Sequence, residues 1–210
     1  SHVRLKLLDG SSIHGVFSSA QNSSIVISAL LNKKLSIRCS DVLEMLVLNG
    51  SLLYLSDLKP TKIVQKFPEG FQYYPDIFGW KRDRSVLGGN LQLGGKNYGK
   101  GLGVHSYCSL TFKLDGKYKE FRSVIGLDDS VRFLGEPGMG SVRFRVLVDG
   151  KAVKEYTEGV LMEKGASPKQ INVNVQGAKS LTLVADYGPL LHILGRADWA
   201  DAHLIRETKK

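Results

Sequence analysis

The feature that most constrains the fold is a glycine-rich block, residues 94–130, which contains two segments of alternating apolar and polar residues. Five glycines occur in its first ten residues: Gly94, Gly95, Gly99, Gly101 and Gly103. The alternating segments, residues 110–114 and 121–127, flank an Asp115-Gly116 step. Alternation with a period of two indicates strands, and an Asp-Gly step between alternating segments is typical of a hairpin turn. We therefore expect a β-hairpin here.

The rest of the second half of the chain has the same pattern. Residues 141–147 alternate and reach a second turn at Asp149-Gly150, and residues 171–175 and 181–185 alternate again. No stretch of this half keeps a helical period of apolar residues over about ten positions. Short strands separated by glycine turns predict an all-β fold, here a β-sandwich.

The first 53 residues contain five short apolar segments and two further hairpin signals, Asp9-Gly10 and Asn49-Gly50. This spacing predicts a small SH3-like or Sm-like β-barrel. Pro60 follows Ser56-Asp57-Leu58-Lys59 and indicates a boundary, since proline restricts the residue before it. We expect a barrel domain over 1–53 and a sandwich domain over 54–210. The alternative is that the early strands extend the second domain.

The charge pattern does not favour a nucleic-acid partner. The net charge of +9 comes from 29 basic and 20 acidic residues scattered along the chain, and Asp83 interrupts the densest basic cluster, Lys81–Arg84. Nucleic-acid binding favours a basic stripe, often with interleaved aromatics, and none occurs. No uncharged apolar run approaches the roughly 18 residues of a membrane span, so we also expect no membrane insertion.

Neither the two cysteines nor the first two residues indicate a function. Cys39 and Cys108 fit no metal or redox spacing, and we expect two buried free thiols. Ser1-His2 has the form of a tag remnant, so we expect the natural N-terminus to be missing.

Residues from about 54 to 205 resemble the NPCBM modules, which are also grouped as carbohydrate-binding module family 51. The motifs that carry the resemblance occur in order along the chain: Tyr54–Leu58, Arg82–Ser85, Gly94–His105, Tyr118–Phe121, Gly126–Asp129, Gly140–Val142 and Ala197–Ala202. Two loops depart from the family pattern, residues 131–140 and 186–196. The second is apolar in its middle and ends in Arg196.

The resemblance implies a jelly-roll β-sandwich related to the galactose-binding-like fold. It also implies a non-catalytic glycan-binding module within a larger secreted protein, with galactose-type sugars as a candidate ligand class. The expected partners are a glycan and other domains of the parent protein, and the expected location is extracellular or periplasmic. No nucleophile-elbow context surrounds Ser141, so no motif supports catalysis.

Sugar recognition needs an aromatic face and planar polar groups that form paired hydrogen bonds with hydroxyls. Six residues of these types are candidates in the matching motifs and departing loops: Trp80, Arg82, Asp83, His105, Arg196 and Trp199. The structural alternative is that Trp80 fills a sandwich edge beside an ion pair, and that His105 is a hydrogen-bonded loop residue.

Five aspartates could supply oxygen ligands to one structural Ca²⁺ ion, which related sandwiches often hold: Asp128, Asp129, Asp186, Asp198 and Asp201. Arginine pairing could satisfy the same acids equally well. A different function, protein–protein interaction without sugar binding, is suggested by the apolar segment Leu190–Leu194.

Overall fold

The computed structural model describes residues 2–29, 33–48, 52–136 and 139–206. Strands make up most of its regular secondary structure, which confirms the all-β prediction. Contacts within the chain divide it into two compact units, Ser1–Leu52 and Leu53–Lys210. No helix among the described residues is long and apolar enough to cross a membrane.

The first unit is one antiparallel sheet of five strands in the order β4-β3-β2-β1-β5. The strands are β1 (His2–Leu7), β2 (Ser12–Gln21), β3 (Ser24–Ser28), β4 (Lys34–Arg38) and β5 (Val42–Leu48). Alternate residues of β1 and β3 form its small core: Val3, Leu5, Ile25 and Ile27. Asp9-Gly10 makes the β1–β2 turn, with Gly10 at φ 86°. Closure of this sheet into a barrel stays a prediction, and Asn49-Gly50 lies outside the described residues.

The second unit contains two six-stranded antiparallel sheets and one two-stranded hairpin. The strands of the first sheet are β6 (Leu52–Tyr54), β8 (Lys81–Arg82), β11 (Gly101–His105), β13 (Tyr118–Leu127), β17 (Lys169–Asn174) and β19 (Arg196–Arg206). Those of the second are β7 (Lys62–Gln65), β12 (Cys108–Lys113), β14 (Ser141–Val148), β15 (Lys151–Ala152), β16 (Val160–Glu163) and β18 (Ser180–Tyr187). The hairpin is β9 (Leu91–Leu93) with β10 (Lys96–Tyr98), and one short helix, α1, covers Pro75–Phe78.

The first sheet has the order β17-β13-β19-β11-β8, with β6 also on β19, and the second has the order β15-β14-β18-β12-β7, with β16 also on β14. Inward side chains of both sheets form one core that includes Phe112, Phe121, Phe144 and Trp199. Their alternation with polar residues matches the pleat, since successive side chains of a strand point to opposite faces. The structure is thus the β-sandwich that the alternation predicted.

The Asp115-Gly116 turn corrects one expectation. Both residues have positive φ, 56° and 67°, as a tight turn requires. However, β12 pairs with β7 and β18, while β13 pairs with β17 and β19. The hairpin prediction was wrong, because the turn carries the chain from one sheet to the other. Asp149-Gly150, with the same residue pair, does close a hairpin between β14 and β15.

The glycine block serves close packing of the strands. A Cβ added at Gly103 would lie 2.3 Å from the Arg84 carbonyl oxygen, and one at Gly101 would lie 2.6 Å from the Trp199 carbonyl oxygen. Neither approach is possible for a larger residue without moving backbone. These glycines therefore allow β11 to lie against its neighbours.

A β-bulge in β19 reverses which side chains face the core. Asp201 has a left-handed φ of 50°, and the two residues between Ala200 and His203 stand opposite the single residue Ser123 of β13. Before the bulge Trp199 faces the core, and after it Leu204 does. A bulge inserts one residue and so shifts the alternation by one position.

The two thiols differ. Cys108 is buried in the sandwich, as expected, but Cys39 is exposed. The prediction that both are buried was therefore wrong for Cys39, which lies in a short turn between β4 and β5.

Candidate functional site

A cleft of about 400 Å³ forms where three segments of the second unit meet. They are the loop between β7 and α1, the last residue of β11, and the loop between β18 and β19 that continues into Arg196. The lining residues are Phe67, Phe71, Gln72, Tyr74, Phe78, His105, His192, Ile193, Leu194 and Arg196. Most of this surface is aromatic or aliphatic, so the few polar groups decide what the cleft can bind.

Strand pairing brings two of the predicted sugar-binding residues together. His105 and Arg196 are register partners at the ends of β11 and β19. The aromatic rings surround them: the Phe78 and Phe67 centroids lie 4.7 and 5.2 Å from that of His105. The His192 ring lies 4.5 Å from that of Phe67 and 6.4 Å from that of His105, and the Phe71 ring lies 4.6 Å from His192. The result is an aromatic cluster with imidazole and guanidinium groups at its base.

His105 is an uncharged polar group at neutral pH. Its Nδ1 lies 2.8 Å from the Ser106 carbonyl oxygen and must donate, because a carbonyl can only accept. Burial lowers the pKa of His105 to about 4, against the opposing effect of that hydrogen bond. In this neutral tautomer Nε2 is a hydrogen-bond acceptor.

Two other polar atoms of the cleft are buried and have no hydrogen-bond partner, the Nδ1 of His192 and the Nε of Arg196. Burial lowers the pKa of both side chains. Buried polar groups are nearly always hydrogen-bonded, and leaving one unsatisfied costs about 1–3 kcal/mol. Both atoms are enclosed by protein, so a ligand can hydrogen-bond them only after these side chains turn toward the cleft.

A second pocket, of about 250 Å³, lies beside Asp129 and Lys164. The Asp129 and Lys164 side chains already have partners in the protein. The Asp129 carboxylate accepts from the backbone N–H groups of Gly94 and Gly95 at 3.0 and 2.6 Å. Lys164 Nζ donates to three backbone carbonyls between residues 134 and 136. We therefore place the candidate site in the aromatic cleft.

Trp80, Arg82 and Asp83 are not among the residues that line the cleft. Trp80 packs partly buried against the core, with the Arg82 guanidinium 5.4 Å from its ring. The Asp83 carboxylate accepts from Lys100 Nζ at 2.8 Å and from the Gly101 N–H at 3.0 Å. This arrangement matches the structural alternative, since Asp83 holds β11 in place.

Trp199 was wrongly assigned to the sugar-binding set. It is only 1% exposed and packs edge-to-face on Phe144 with ring centroids 4.9 Å apart. The strand that carries it is straight up to the bulge at Asp201, so its side chain points between the two sheets. A core tryptophan cannot present a ring face to a surface ligand.

The five aspartates do not form one metal site, so the predicted ligand set was wrong. Asp186 forms an ion pair with Arg145, and Asp201 lies at the bulge beside His203. Across the described residues, no group of three or more His, Cys, Asp or Glu side chains is placed to hold a metal ion. Calcium binding itself stays a prediction.

Asp128 and Asp198 are the acids that do lie together. Asp198 is fully buried and neither of its carboxylate oxygens has a partner in good hydrogen-bond geometry, although the Asp128 carboxylate and the Gln92 N–H lie close enough to act on its pKa. Burial first, and then the Asp128 carboxylate, raise the pKa of Asp198 well above its ordinary value. Asp128 instead accepts from the N–H groups of Gln92 and Ser130. These two acids do not fit the six to eight oxygen ligands of calcium without many further donors.

The phenylalanines and His192 of the cleft are functional candidates that the sequence analysis did not select. A signal was present: Phe67, Phe71, Tyr73 and Tyr74 fall in eight residues of a segment that contains Pro68 and is followed by Pro75. Aromatics in an irregular segment cannot all be explained by strand alternation. Their meeting with His192, more than 110 residues later in the chain, could not be read from either segment alone.

Comparison with known proteins connects the sandwich with glycan-processing bacterial proteins. The chain is 32% identical over 123 residues to the alpha-1,3-galactosidase B of Akkermansia muciniphila, an alignment that covers 57% of this chain. The aligned part of this chain spans only 14% of that enzyme's length and 7% of the length of another curated relative.

Two solved structures have the same fold. One contains CBM51-2 and INT domains of Clostridium perfringens ZmpB in complex with GlcNAc. Its sequence is 23% identical, the TM-score is 0.62, and the matched region covers 87% of this chain and 36% of the ZmpB chain. The other is CBM51 of Clostridium perfringens GH95 in complex with methyl-galactose; it is 24% identical, has a TM-score of 0.59, and covers 73% of this chain and 99% of its own. The profile of the NPCBM/NEW2 domain matches residues 52–205, and the chain therefore belongs to the NPCBM/NEW2 domain family.

Proposed function

We propose that this chain is a non-catalytic carbohydrate-binding module whose second unit holds a glycan in the aromatic cleft. The observation that carries the proposal is a cleft lined by the rings of Phe67 and Phe71 together with the polar side chains of His192 and Arg196. A sugar ring has an apolar C–H face and a rim of hydroxyls. It can therefore pack on an aromatic ring while its hydroxyls hydrogen-bond polar side chains of the cleft.

The relatives support a hexose or N-acetylhexosamine as the ligand class. The two structures with this fold are complexes with GlcNAc and with methyl-galactose, and a curated relative is an alpha-1,3-galactosidase. Because the chain spans a small part of its curated relatives, we propose that it acts within a larger secreted or periplasmic glycan-processing protein. Its role there would be to keep attached catalytic domains close to their substrate.

Replacing Phe71 by alanine tests the cleft. Phe71 is 55% exposed, so its loss should leave the fold intact. We expect the affinity for methyl-galactose or GlcNAc to fall about tenfold, since an aromatic contact contributes about 1–1.5 kcal/mol. Isothermal titration calorimetry measures the change.

Phe133 provides the matched control, because it is 88% exposed and does not line the cleft. Phe133→Ala should bind both sugars as the unchanged protein does. Equal affinity of Phe71→Ala and the unchanged protein would place the sugar elsewhere.

Protein binding is the second candidate function, favoured by exposed apolar residues beside the cleft. Leu190, Leu191 and Ile193 are 41–47% exposed. If this loop forms a protein interface, replacing both Leu190 and Leu191 by serine should abolish any concentration-dependent increase in size seen by light scattering. Neither leucine lines the cleft, so sugar binding should survive in this variant. A size that is constant over concentration in the unchanged protein would contradict self-association through the loop.

A further inference from the structure

We propose that the sugar bound in the aromatic cleft carries an anionic group, a carboxylate or a sulfate, and that Arg196 binds it. The inference rests on the proposed function and specifies the ligand of the same site. It follows from the charges of the cleft, the state of the Arg196 guanidinium and the shortage of hydrogen-bond acceptors.

The first observation is the charge of the lining. Of the ten described residues that line the cleft, Arg196 is the only one with a formal charge at neutral pH. His105 is held neutral by burial, with a pKa of about 4, and burial also lowers the pKa of His192. The lining contains no aspartate or glutamate. A ligand in this cleft therefore meets one positive charge and no negative one.

The second observation is that Arg196 has no ion-pair partner among the described residues. Asp128 acts on Arg196 electrostatically, but the Asp128 carboxylate accepts from the backbone N–H groups of Gln92 and Ser130. Arg196 is half-buried, its Nε has no acceptor, and burial lowers its pKa. A partly buried cation without a direct ion-pair partner is unfavourable, and a bound anion would relieve this.

The third observation concerns hydrogen-bond acceptors. The hydroxyls of a neutral sugar are donors as well as acceptors, and an ionised carboxylate is the side-chain group that can accept from several donors at once. Here the side-chain acceptors are limited to neutral groups, such as His105 Nε2 and the Gln72 amide oxygen. An anionic substituent needs donors only, and the planar guanidinium fork matches a carboxylate or sulfate with two parallel hydrogen bonds.

The aromatic surroundings should strengthen such a pair. Phe67, Phe71 and Phe78 exclude water from one side of the cleft, and an ion pair is stronger where the effective dielectric constant is low. The rings would meanwhile pack on the apolar face of the same sugar. The cleft thus fits a ring with one charged edge and one apolar face.

Matched sugar pairs test the proposal by isothermal titration calorimetry. Methyl-galactoside is compared with methyl-galacturonide and with galactose 6-sulfate, which separates carboxylate from sulfate at a constant ring. We expect at least one anionic sugar to bind about tenfold or more tightly than the neutral one, with the advantage falling as salt is raised. Arg196→Gln should abolish the advantage, and Arg196→Lys should keep part of it.

Arg132→Gln is the control, since Arg132 is exposed and lies outside the cleft. It should leave the preference unchanged. Neutral and anionic sugars that bind equally, with equal loss in Arg196→Gln, would overturn the inference and leave the proposed function standing. Binding of inorganic sulfate as tight as that of the sulfated sugar would also overturn it. If no sugar binds, the proposed function itself fails.

Discussion

Replacing His105 by glutamine is expected to abolish most of the loss of stability that the sandwich undergoes as the pH falls from 6.5 to 4. His105 is 4% exposed, and burial lowers its pKa from 6.5 to about 4. In the unfolded chain the imidazole is solvated and takes up its proton near pH 6.5. Between these two values the unfolded state therefore binds more protons than the folded state, and the free energy of unfolding falls as the pH is lowered.

The size of this effect follows from the distance between the two pKa values. Each pH unit corresponds to about 1.4 kcal/mol, so the histidine accounts for a loss of about 3 kcal/mol over the window. Burial also lowers the pKa of His192, which contributes a smaller loss of the same sign. Above pH 6.5 both folded and unfolded states are neutral at His105, and the dependence on this group ends.

Urea unfolding followed by tryptophan fluorescence at several pH values measures this. Both tryptophans of the chain, Trp80 and Trp199, belong to the sandwich unit, so the signal reports that unit alone. His14, an exposed residue of β2, supplies the control substitution, His14→Gln, which should leave the slope unchanged. The prediction rests on the slope rather than on absolute stability, so a general loss of stability in His105→Gln does not obscure it. An unchanged slope in that variant would contradict the burial of a neutral imidazole.

Replacing Asp198 by asparagine is expected to stabilise the sandwich at neutral pH by about 1–3 kcal/mol, the usual cost of a buried polar group that has no partner. Asp198 is fully buried, both of its oxygens lack partners in good hydrogen-bond geometry, and it lies against the Asp128 carboxylate. Asparagine has nearly the same shape and carries no charge, and its NH₂ group can donate a hydrogen bond to the Asp128 carboxylate.

The pH dependence of stability that Asp198 contributes has the opposite sign to the one that His105 contributes. Burial and Asp128 raise the pKa of Asp198 well above 3.8, so at intermediate pH the folded state holds a proton that the unfolded state releases. The stability contributed by Asp198 is therefore present at low pH and is lost as the pH rises through the folded-state pKa. The advantage of asparagine should be small near pH 4 and should grow until that pKa is passed.

The same variant distinguishes an Asp198 that holds a proton in the folded state from an Asp198 that binds calcium. If Asp198 is a calcium ligand, Asp198→Asn should destabilise the protein and should abolish a rise in melting temperature on adding calcium. Asp129→Asn is the matched control, because Asp129 accepts from two backbone N–H groups and its loss should destabilise under either view. A stabilised Asp198→Asn whose melting temperature ignores both calcium and chelator would end the calcium prediction.

The candidate site was only partly predictable from sequence. His105 and Arg196 came from their places in or next to the family motifs, and the structure brings them together because β11 and β19 are paired in register. Trp199 came from the same motif and was wrong, since a motif that is needed for the fold marks core and surface residues alike. Phe67, Phe71 and His192 lie in irregular segments, where no periodicity predicts which way a side chain points.

The sequence by itself determined the all-β class, the strands and the positions of the tight turns, because alternation and Asp-Gly pairs act over a few neighbouring residues. It also determined the family, through motifs spread along the second unit. Only the tertiary structure decided which strands pair. The Asp-Gly turn at residue 149 joins two strands that pair with each other, whereas the Asp-Gly turn at residue 115 joins strands of different sheets. It also decided the bulge at Asp201 and the cleft, since both depend on contacts between residues far apart in the chain.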